Sequence, residues 1–449
     1  MNVLLSVIGL LVALGILVTV HEYGHFWVAR RNGIKVLRFS IGFGQPLYRW
    51  YDKQGTEFAI AWIPLGGYVK MLDEREGPVP AAEQHGEFMS KTPLQRIAVA
   101  SAGPLANFLF AILAFALLYT IGVQGLKPLV DQPPTETPAA EAGFERGDRI
   151  LAIDGHEVDT WREVNLTLAQ RVGDSGEIEF RVARDGRERR LNVPVERWLS
   201  QESEPNPMAN LGLYVQRPEV PAVIGQLMPG EAAEAAGLQV GDQVLRTEGQ
   251  VIENWLDWVE VIQLNGGRSL DVEVLRDGER MTLEITPRTR EVEGETQGYI
   301  GAGAASFEWP EEQIVTHRVM PWTAIAWGLR DTWEMVGLSF GMLGKMVTGQ
   351  VSFEQIGGPI SMAQLAGDSV QGGLESFVRY LAFISIALGV MNLLPIPILD
   401  GGHILFYSIE WLRGRPVSER MQIIATQVGL MLIIGLMMVA FYNDIGRLG

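Results

Sequence analysis

The sequence predicts a multi-span α-helical membrane protein with two β-rich units inserted between its membrane helices. Two observations carry this prediction: four long uncharged apolar stretches, and a polar acidic block between the second and third of them. The 449-residue chain has a formal net charge of −17, yet 47% of its residues are hydrophobic. Residues 123–310 hold 18 Lys and Arg against 34 Asp and Glu, so nearly all of the excess charge lies there. Charge and apolar residues therefore occupy separate regions of the chain.

Composition excludes several classes of function. The chain has no Cys, which excludes a disulfide scaffold, a Cys-ligated zinc site, an iron–sulfur cluster and a Cys nucleophile. The negative net charge argues against nucleic acid as a main partner, because nucleic-acid binding depends on neutralising phosphates. A chain of this length also predicts several modules rather than one.

Four stretches meet the requirement for a membrane-spanning helix, which is about 20 largely apolar residues with few charges. They are Val3–Val20, Ile97–Leu126, Tyr380–Leu399 and Met421–Asn443. The first could instead be a cleaved secretory signal. It lacks a basic leading region and a small-residue cleavage site, so we expect it to be retained as a span.

Basic residues near the span ends predict the orientation. They follow the first span (Arg30, Arg31, Lys35, Arg38) and the third (Arg413, Arg415, Arg420). We expect these ends to face the cytoplasm, with residues 123–379 and both termini on the extracytoplasmic side. The segment Pro321–Gly349 has an apolar face interrupted by charges, which favours an amphipathic helix at the membrane surface. A fifth span there would reverse the sidedness of everything after it.

The acidic block contains the same passage twice. Ala142–Leu151 matches Ala236–Leu245, and each copy carries Gly-Asp followed by an Asp-Gly hairpin signal between alternating strands. The two copies resemble tandem PDZ domains of the bacterial protease type. Such domains bind an extended peptide at a sheet edge. The repeated sequences favour two functions equally: control of access by size, and capture of a peptide.

The chemical motif is His21-Glu22-Tyr23-Gly24-His25, at the predicted cytoplasmic end of the first span. Residues four apart share a helix face, so both imidazoles can bind one metal ion. Glu22 lies beside that face and can take a proton from the attacking water. Ionisable side chains this close to hydrocarbon are costly unless they are paired or bind a metal, so they indicate function.

A catalytic zinc usually has three protein ligands, and Asp400 is the candidate for the third. The first and third spans cross in the same direction, so Asp400 and the two histidines end at similar depth. Asp400 could instead only cap a helix or hold the turn at Gly401-Gly402. His403 is a rival ligand, although a structural role fits it better. His85, His156 and His317 stand in polar contexts typical of surface residues.

Two further features lie near this motif. Pro395 and Pro397 remove backbone donors and should break the third span, which is tolerated at membrane depth only beside protein or a wet cavity. The loop after the first span contains β-prone, Gly-punctuated segments around Gly42 and Gly44. This predicts a hairpin that dips toward the site and offers an edge to an unwound substrate; an ordinary cytoplasmic hairpin is the alternative.

Three motifs in this order resemble the site-2 protease family: His21–His25, Ser101–Phe108, and the N-x-x-P-x-x-x-L-D-G run Asn392–Gly401. The resemblance covers essentially the whole chain. It implies an intramembrane zinc metalloprotease with one Zn²⁺ held by His21, His25 and Asp400, and Glu22 as general base. It also implies a substrate-binding set, namely Asn392, Pro395, Pro397, Gly42, Phe43 and Gly44.

The resemblance further implies the partners. The family cleaves transmembrane segments of single-span proteins whose outer domain was first shortened. For some members these are an anti-sigma factor of envelope stress signalling and remnant signal peptides. We expect a monomer in the lipid bilayer with no nucleic-acid partner. The residues alone also allow a non-catalytic membrane PDZ peptide receptor, whose function would not depend on His21, Glu22 or Asp400. A zinc transporter is a third possibility, but it would favour acidic or His residues on several spans, and only one cluster is visible.

The expected domains run in chain order as follows: 1–29 first span, 30–93 membrane-dipping β loop, 94–122 second span, 123–217 first PDZ domain, 218–308 second PDZ domain, 309–376 amphipathic interfacial region, 377–402 third span, 403–420 cytoplasmic loop and 421–445 fourth span.

Overall fold

The computed structural model describes residues 3–75, 77–218, 220–292, 295–305 and 309–447. Within these ranges the chain forms twelve α-helices and sixteen strands, with three short 3₁₀ turns. The helices are α1 Val3–Arg31, α2 Pro93–Ile121, α3 Pro138–Glu141, α4 Trp161–Ala169, α5 Pro207–Leu211, α6 Ala232–Ala235, α7 Trp255–Leu264, α8 Pro321–Val347, α9 Pro359–Gln371, α10 Gly373–Leu393, α11 Asp400–Arg413 and α12 Glu419–Gly446. The strands are β1 Val36–Tyr51, β2 Glu57–Met71, β3 Val123–Leu126, β4 Arg149–Ile153, β5 His156–Glu157, β6 Gly176–Arg184, β7 Arg187–Val195, β8 Ile224–Leu227, β9 Gln243–Thr247, β10 Gln250–Val251, β11 Leu270–Arg276, β12 Glu279–Ile285, β13 Arg288–Val292, β14 Glu295–Tyr299, β15 Ala302–Ala304 and β16 Ile314–His317.

Four helices are long and apolar enough to cross a membrane: α1, α2, α10 and α12. This confirms the prediction of four apolar helices. The long helix α8 is not among these candidates, since charged residues interrupt its apolar face. The protein is thus a membrane protein with β-rich regions between its second and third apolar helices.

Helix α2 lies at the centre of the membrane helices and packs against both α1 and α10. It begins at a capping box, in which the Thr92 hydroxyl accepts from the Gln95 backbone and the Gln95 side chain accepts from the Thr92 backbone. The contact with α1 is very close: a Cβ built on Gly24 would lie 2.3 Å from the Ala102 carbonyl oxygen. Glycine at position 24 therefore brings the His21–His25 segment directly against α2.

The third apolar helix, α10, ends at Leu393 rather than at Leu399. Pro395 and Pro397 follow in a non-helical turn, and neither can supply the backbone donor that a continuing helix needs. The chain then re-enters a helix at Asp400. Much of the segment expected as a loop over 403–420 is therefore helical, because α11 continues to Arg413.

The loop between α1 and α2 forms a long antiparallel hairpin of β1 and β2. Its register shifts repeatedly, and a Cβ at Gly42, where φ is +90°, would lie 2.7 Å from the Ile63 carbonyl oxygen. Several large apolar side chains of the hairpin are exposed, among them Trp62 at 67% and Leu47 at 56%. Exposed apolar side chains that lie together mark a surface that contacts another protein or lipid.

The acidic block folds as two copies of one unit. The sheet orders are β5-β4-β6-β7 and β10-β9-β11-β12, with α4 and α7 in equivalent places. Each copy buries the Asp of its repeated Gly-Asp passage against an Arg at the end of a long strand. Asp148 accepts from Arg184 Nε at 2.6 Å, and Asp242 accepts from Arg276 Nε at 2.7 Å.

The region after the repeats connects them to the membrane helices. Strand β16 pairs antiparallel with β3, and Lys345 of α8 forms an ion pair with Asp174 at 2.7 Å. At the far end of the chain, Asp444 of α12 accepts hydrogen bonds from the backbone of Gly358 and Ile360 at the start of α9. The carboxylate therefore neutralises the donor end of α9 and fixes the end of α12 against it.

Candidate active site

The two histidines of the chemical motif lie on one buried face of α1, one turn apart. His21 is 8% exposed and His25 9% exposed. Their Nε2 atoms are 3.2 Å apart, so both nitrogens point at the same small volume. The spacing of four residues on a helix produces this arrangement, as the sequence predicts.

Asp400 brings a carboxylate to the same volume from the other end of the chain. Its Oδ2 lies 3.1 Å from His21 Nε2 and 3.4 Å from His25 Nε2. Asp400 begins α11, where Gly401 and Gly402 let that helix start directly against the preceding turn. A Cβ on Gly401 would lie 2.3 Å from the Leu394 carbonyl oxygen, and a Cβ on Gly402 2.4 Å from the Pro397 Cα. The two glycines thus hold Asp400 at the depth of the histidines.

Helix α2 forms the third side of this volume. The Val99 carbonyl oxygen lies 2.7 Å from His25 Nδ1, and the Asn107 side-chain amide lies 3.1 Å from His21 Nδ1. Between them, Gly103 faces the histidines, and a Cβ there would lie 2.3 Å from His25 Nε2. The missing side chain at position 103 therefore leaves open the space that both Nε2 atoms face.

The residues fit a metal ion. The donor atoms of His21, His25 and Asp400 all lie within 4.8 Å of one another. Asp400 Oδ2 is buried without a hydrogen bond of good geometry, which is costly unless another group completes it. Two imidazole nitrogens and one carboxylate oxygen are a donor set typical of catalytic zinc, with a fourth position left for water.

Glu22 lies beside this volume on the wall of a cavity of about 440 Å³. The same wall contains His21, His25, Asp400 and Tyr68. The β2 backbone approaches Glu22 closely, since a Cβ on Gly67 would lie 3.4 Å from Glu22 Cγ. The hairpin is therefore adjacent to the candidate general base.

The expected substrate-binding residues lie at different distances from this cavity. Asn392, near the end of α10, lines it. Pro395 and Pro397 form the turn between α10 and Asp400, and Gly429 of α12 packs against Pro397. Gly42, Phe43 and Gly44 belong to β1 and do not line the cavity, although the Phe43 ring stacks on Tyr68 at 6.2 Å.

The other histidines do not join the cluster. His403 lines the cavity, but its ring stacks on Tyr407 at 6.1 Å, and it is outside the group of close donor atoms. His85 and His156 are exposed, and His317 is half-buried against Trp327.

Sequence reasoning missed the residues of α2 and of the loop after β2. Val99, Gly103 and Asn107 were not predicted to touch the histidines, although their spacing of four residues places them on one helix face. Asp73 and Arg75 line the cavity and were not singled out. For these two, the sequence offers no periodic signal.

Comparison with known proteins agrees with this geometry. A model of peptidase family M50 matches residues 9–436. Protease RseP of Yersinia pestis is 42% identical over 451 residues, with 100% of each chain covered. Regulator of sigma-E protease RseP of Escherichia coli (strain K12) is 42% identical over 440 residues, with 98% of each chain covered. A regulator of sigma E protease of Haemophilus influenzae is 39% identical over 449 residues, with 100% of each covered.

The match extends over the helix that carries the two histidines, the central helix and the segment that carries Asp400. It therefore includes every residue of the His21, His25 and Asp400 cluster. The chain belongs to peptidase family M50 and is a zinc metalloprotease of the site-2 type, acting within the membrane.

Proposed function

We propose that His21, His25 and Asp400 hold the zinc ion and that Glu22 is the general base for hydrolysis of a transmembrane peptide. The observation that carries this is the convergence of three donor atoms from α1 and α11 beside one cavity that also contains Glu22. Zinc bound there would polarise the scissile carbonyl and lower the pKa of the attacking water.

Glu22 then accepts a proton from the attacking water and donates it to the leaving nitrogen, which is the usual role of a carboxylate at this place in the motif. His21, His25 and Asp400 stay in place throughout, because each is held by a separate buried contact or tight turn. Hydrolysis needs water at membrane depth, and the cavity beside Glu22 provides a polar space for it.

The substrate must leave its helical conformation before it can be cleaved, since a helix buries its amides in its own hydrogen bonds. We propose that β1 around Gly42, Phe43 and Gly44 holds the unwound segment, and that Asn392 hydrogen-bonds its backbone. The position of Asn392 in the cavity wall and the contact of Phe43 with Tyr68 support this. Pro395 and Pro397 contribute by keeping the backbone before Asp400 non-helical.

The substrates we propose are single-span membrane proteins whose outer domain has been removed. The names of the relatives include regulators of sigma-E, which supports an anti-sigma factor of envelope stress signalling as one substrate. Remnant signal peptides are a second class, because they too are short single-span segments.

We further propose that the two repeated units are PDZ domains, spanning 123–217 and 218–308. Their shared sheet order, their equivalent helices and the repeated buried Asp–Arg pair support this. Their place between α2 and α10 suits control of access to the membrane helices, either by size or by peptide recognition.

The proposed orientation puts these units and both termini in the periplasm of a bacterial inner membrane, with the metal site near the cytoplasmic face. The support is two groups of basic residues, one at the end of α1 and just after it and the other from the end of α11 to the start of α12, which favour the cytoplasm. Reporter fusions after residues 200 and 415 would test it: we expect the first to report the periplasm and the second the cytoplasm. The opposite pattern would overturn the orientation.

The experiment that tests the proposed activity is a chelator-reversible cleavage assay on a single-span reporter in detergent or vesicles. We expect about one zinc per chain, loss of cleavage on chelation, and recovery on adding zinc. His21→Ala should lose both zinc and cleavage. Full activity in a metal-free sample, or unchanged zinc content in the His21→Ala protein, would contradict the proposal.

A further inference from the structure

Helix α2 contacts both histidines through one face. Val99, Gly103 and Asn107 are spaced four residues apart, and each faces a histidine ring. Each metal-binding imidazole needs its second ring nitrogen fixed by an outer partner, since that partner decides which nitrogen carries the proton.

The contact of Val99 with His25 allows only one position for the ring hydrogen. A carbonyl oxygen only accepts, so His25 Nδ1 must carry the hydrogen and donate it at 2.7 Å. The lone pair of His25 then lies on Nε2, on the side of Asp400. This ring is therefore already in the tautomer that a metal ligand requires.

The contact of Asn107 with His21 allows two positions for the ring hydrogen, depending on whether the amide nitrogen or the amide oxygen faces His21 Nδ1. The amide nitrogen lies 3.1 Å from His21 Nδ1, so in this arrangement the amide donates and the hydrogen of His21 sits on Nε2. That Nε2 lies 3.2 Å from His25 Nε2, whose lone pair can accept this hydrogen. The amide oxygen of Asn107 is buried and has no hydrogen-bond partner, and the residue as a whole is 0% exposed.

We propose that Asn107 is a positioning residue which turns its amide oxygen to His21 Nδ1 when the metal binds. The oxygen then accepts the Nδ1 hydrogen, and the Nε2 lone pair becomes free for the ion. The ring changes tautomer by moving one proton from Nε2 to Nδ1, so no net proton is gained or lost. This inference rests on the proposed role of His21 as a ligand.

The geometry favours this role over a merely structural one. The structural link of Asn107 to α10 uses its backbone oxygen, which accepts from Ser385 Oγ at 2.9 Å and survives any change of the side chain. The side-chain amide has its described contact with His21 alone, and its free oxygen has no other use in this buried place. Rotating the amide pairs this oxygen with the Nδ1 hydrogen and fixes the tautomer in one movement, while the amide nitrogen gives up its contact with His21.

The test measures zinc affinity of the full-length purified chain by competition with a chromogenic chelator. Asn107→Leu keeps the volume and removes the acceptor, so we expect affinity to fall about 10- to 100-fold, the usual effect of losing an outer partner. Asn107→Asp keeps an acceptor and should stay within a few-fold of wild type or bind more tightly. Ser385→Ala is the matched control and should match wild type.

A second readout separates this role from packing and from the added charge of the Asp variant. In the zinc-loaded wild type, ¹⁵N spectra of the histidine rings should show the hydrogen of His21 on Nδ1, and Asn107→Leu should lose that single state. Wild-type affinity in Asn107→Leu, or equal losses in the Leu and Asp variants, would overturn the inference. If wild type and His21→Ala bind zinc equally, the proposed ligand set itself fails, which is a distinguishable result.

Discussion

Replacing Gly103 by Ala should remove the metal from this enzyme while leaving its helices intact. A Cβ at position 103 would lie 2.3 Å from His25 Nε2 and 2.8 Å from His21 Nε2, whereas real Cβ contacts stay beyond 3.0 Å. Zinc–nitrogen bonds are about 2.0–2.1 Å long, so the new methyl group would stand where the ion has to be.

Helix movement cannot restore the site at low cost. To reach 3.0 Å from His25 Nε2, α2 would have to move by about 0.7 Å, the difference from 2.3 Å. Coordination distances tolerate only about 0.2 Å. The same shift would stretch the contacts of Val99 and Asn107 to the two rings, which would loosen both ligands. We therefore expect zinc affinity to fall by about 100-fold or more, the upper end of losses for outer-shell changes.

The assay compares zinc content and reporter cleavage of Gly103→Ala with Gly15→Ala. A Cβ on Gly15 has no atom within 4 Å, so this control makes the same chemical change in an apolar helix without a clash. We expect wild-type zinc and cleavage in the control, and loss of both in Gly103→Ala with unchanged helix content. One zinc per chain at wild-type affinity in Gly103→Ala would refute the reasoning.

Three further outcomes follow from the structure. Glu22→Gln should keep its zinc but lose about 10²- to 10⁴-fold in cleavage rate, the usual contribution of a general base; a wild-type rate at full zinc content would remove Glu22 from that role. Burial alone would raise the pKa of Asp242, but Arg276 and the Gln239 backbone hold it below its ordinary value. The ionised Asp242 therefore contributes its full stabilisation to the second repeat when the pH is above the ordinary pKa of an aspartate, and this contribution is lost as the pH falls through the lowered pKa. The protease resistance of the second repeat should accordingly drop in acid for the wild type, and much less for Asp242→Asn. An equal drop in both would contradict this. Asp444→Ala should lower the thermal midpoint of the detergent-solubilised protein more than Ser361→Ala, because it leaves three backbone N–H groups at the start of α9 without their acceptor, while the Ser change removes only the two hydrogen bonds of its hydroxyl; equal shifts would show that the α9–α12 contact does not depend on the carboxylate.

The sequence predicted that His21, His25 and Asp400 lie together because two simple rules apply to them. Residues four apart share a helix face, which pairs His21 with His25. Spans that cross in the same direction end at the same depth, which brings Asp400 to that level. Neither rule needs knowledge of how the helices pack, and both the spacing and the depth match agree with the distances in the structure.

The contribution of α2 could not be predicted in the same way. Its sequence is apolar on every side, so periodicity does not show which face meets α1. The contact face is set by Gly24 and Gly103, whose small size matters only once the two helices are in place. The pairing of β16 with β3 escaped prediction for a related reason, because it joins segments nearly the whole acidic block apart and neither has a strong pattern of its own.

A hydrolase whose reaction takes place within a membrane needs water in surroundings that exclude it. Peptide hydrolysis consumes water, and the four apolar helices exclude it. The non-helical turn between α10 and α11 helps to form a space for this water. Its backbone would be costly against lipid, but Ile398 and Leu399 of this turn line the same cavity as Glu22 and Asp400. The prolines that end α10 therefore free Asp400 to begin a new helix against the histidines, and the turn that contains them brings Ile398 and Leu399 to one wall of a space that water could occupy.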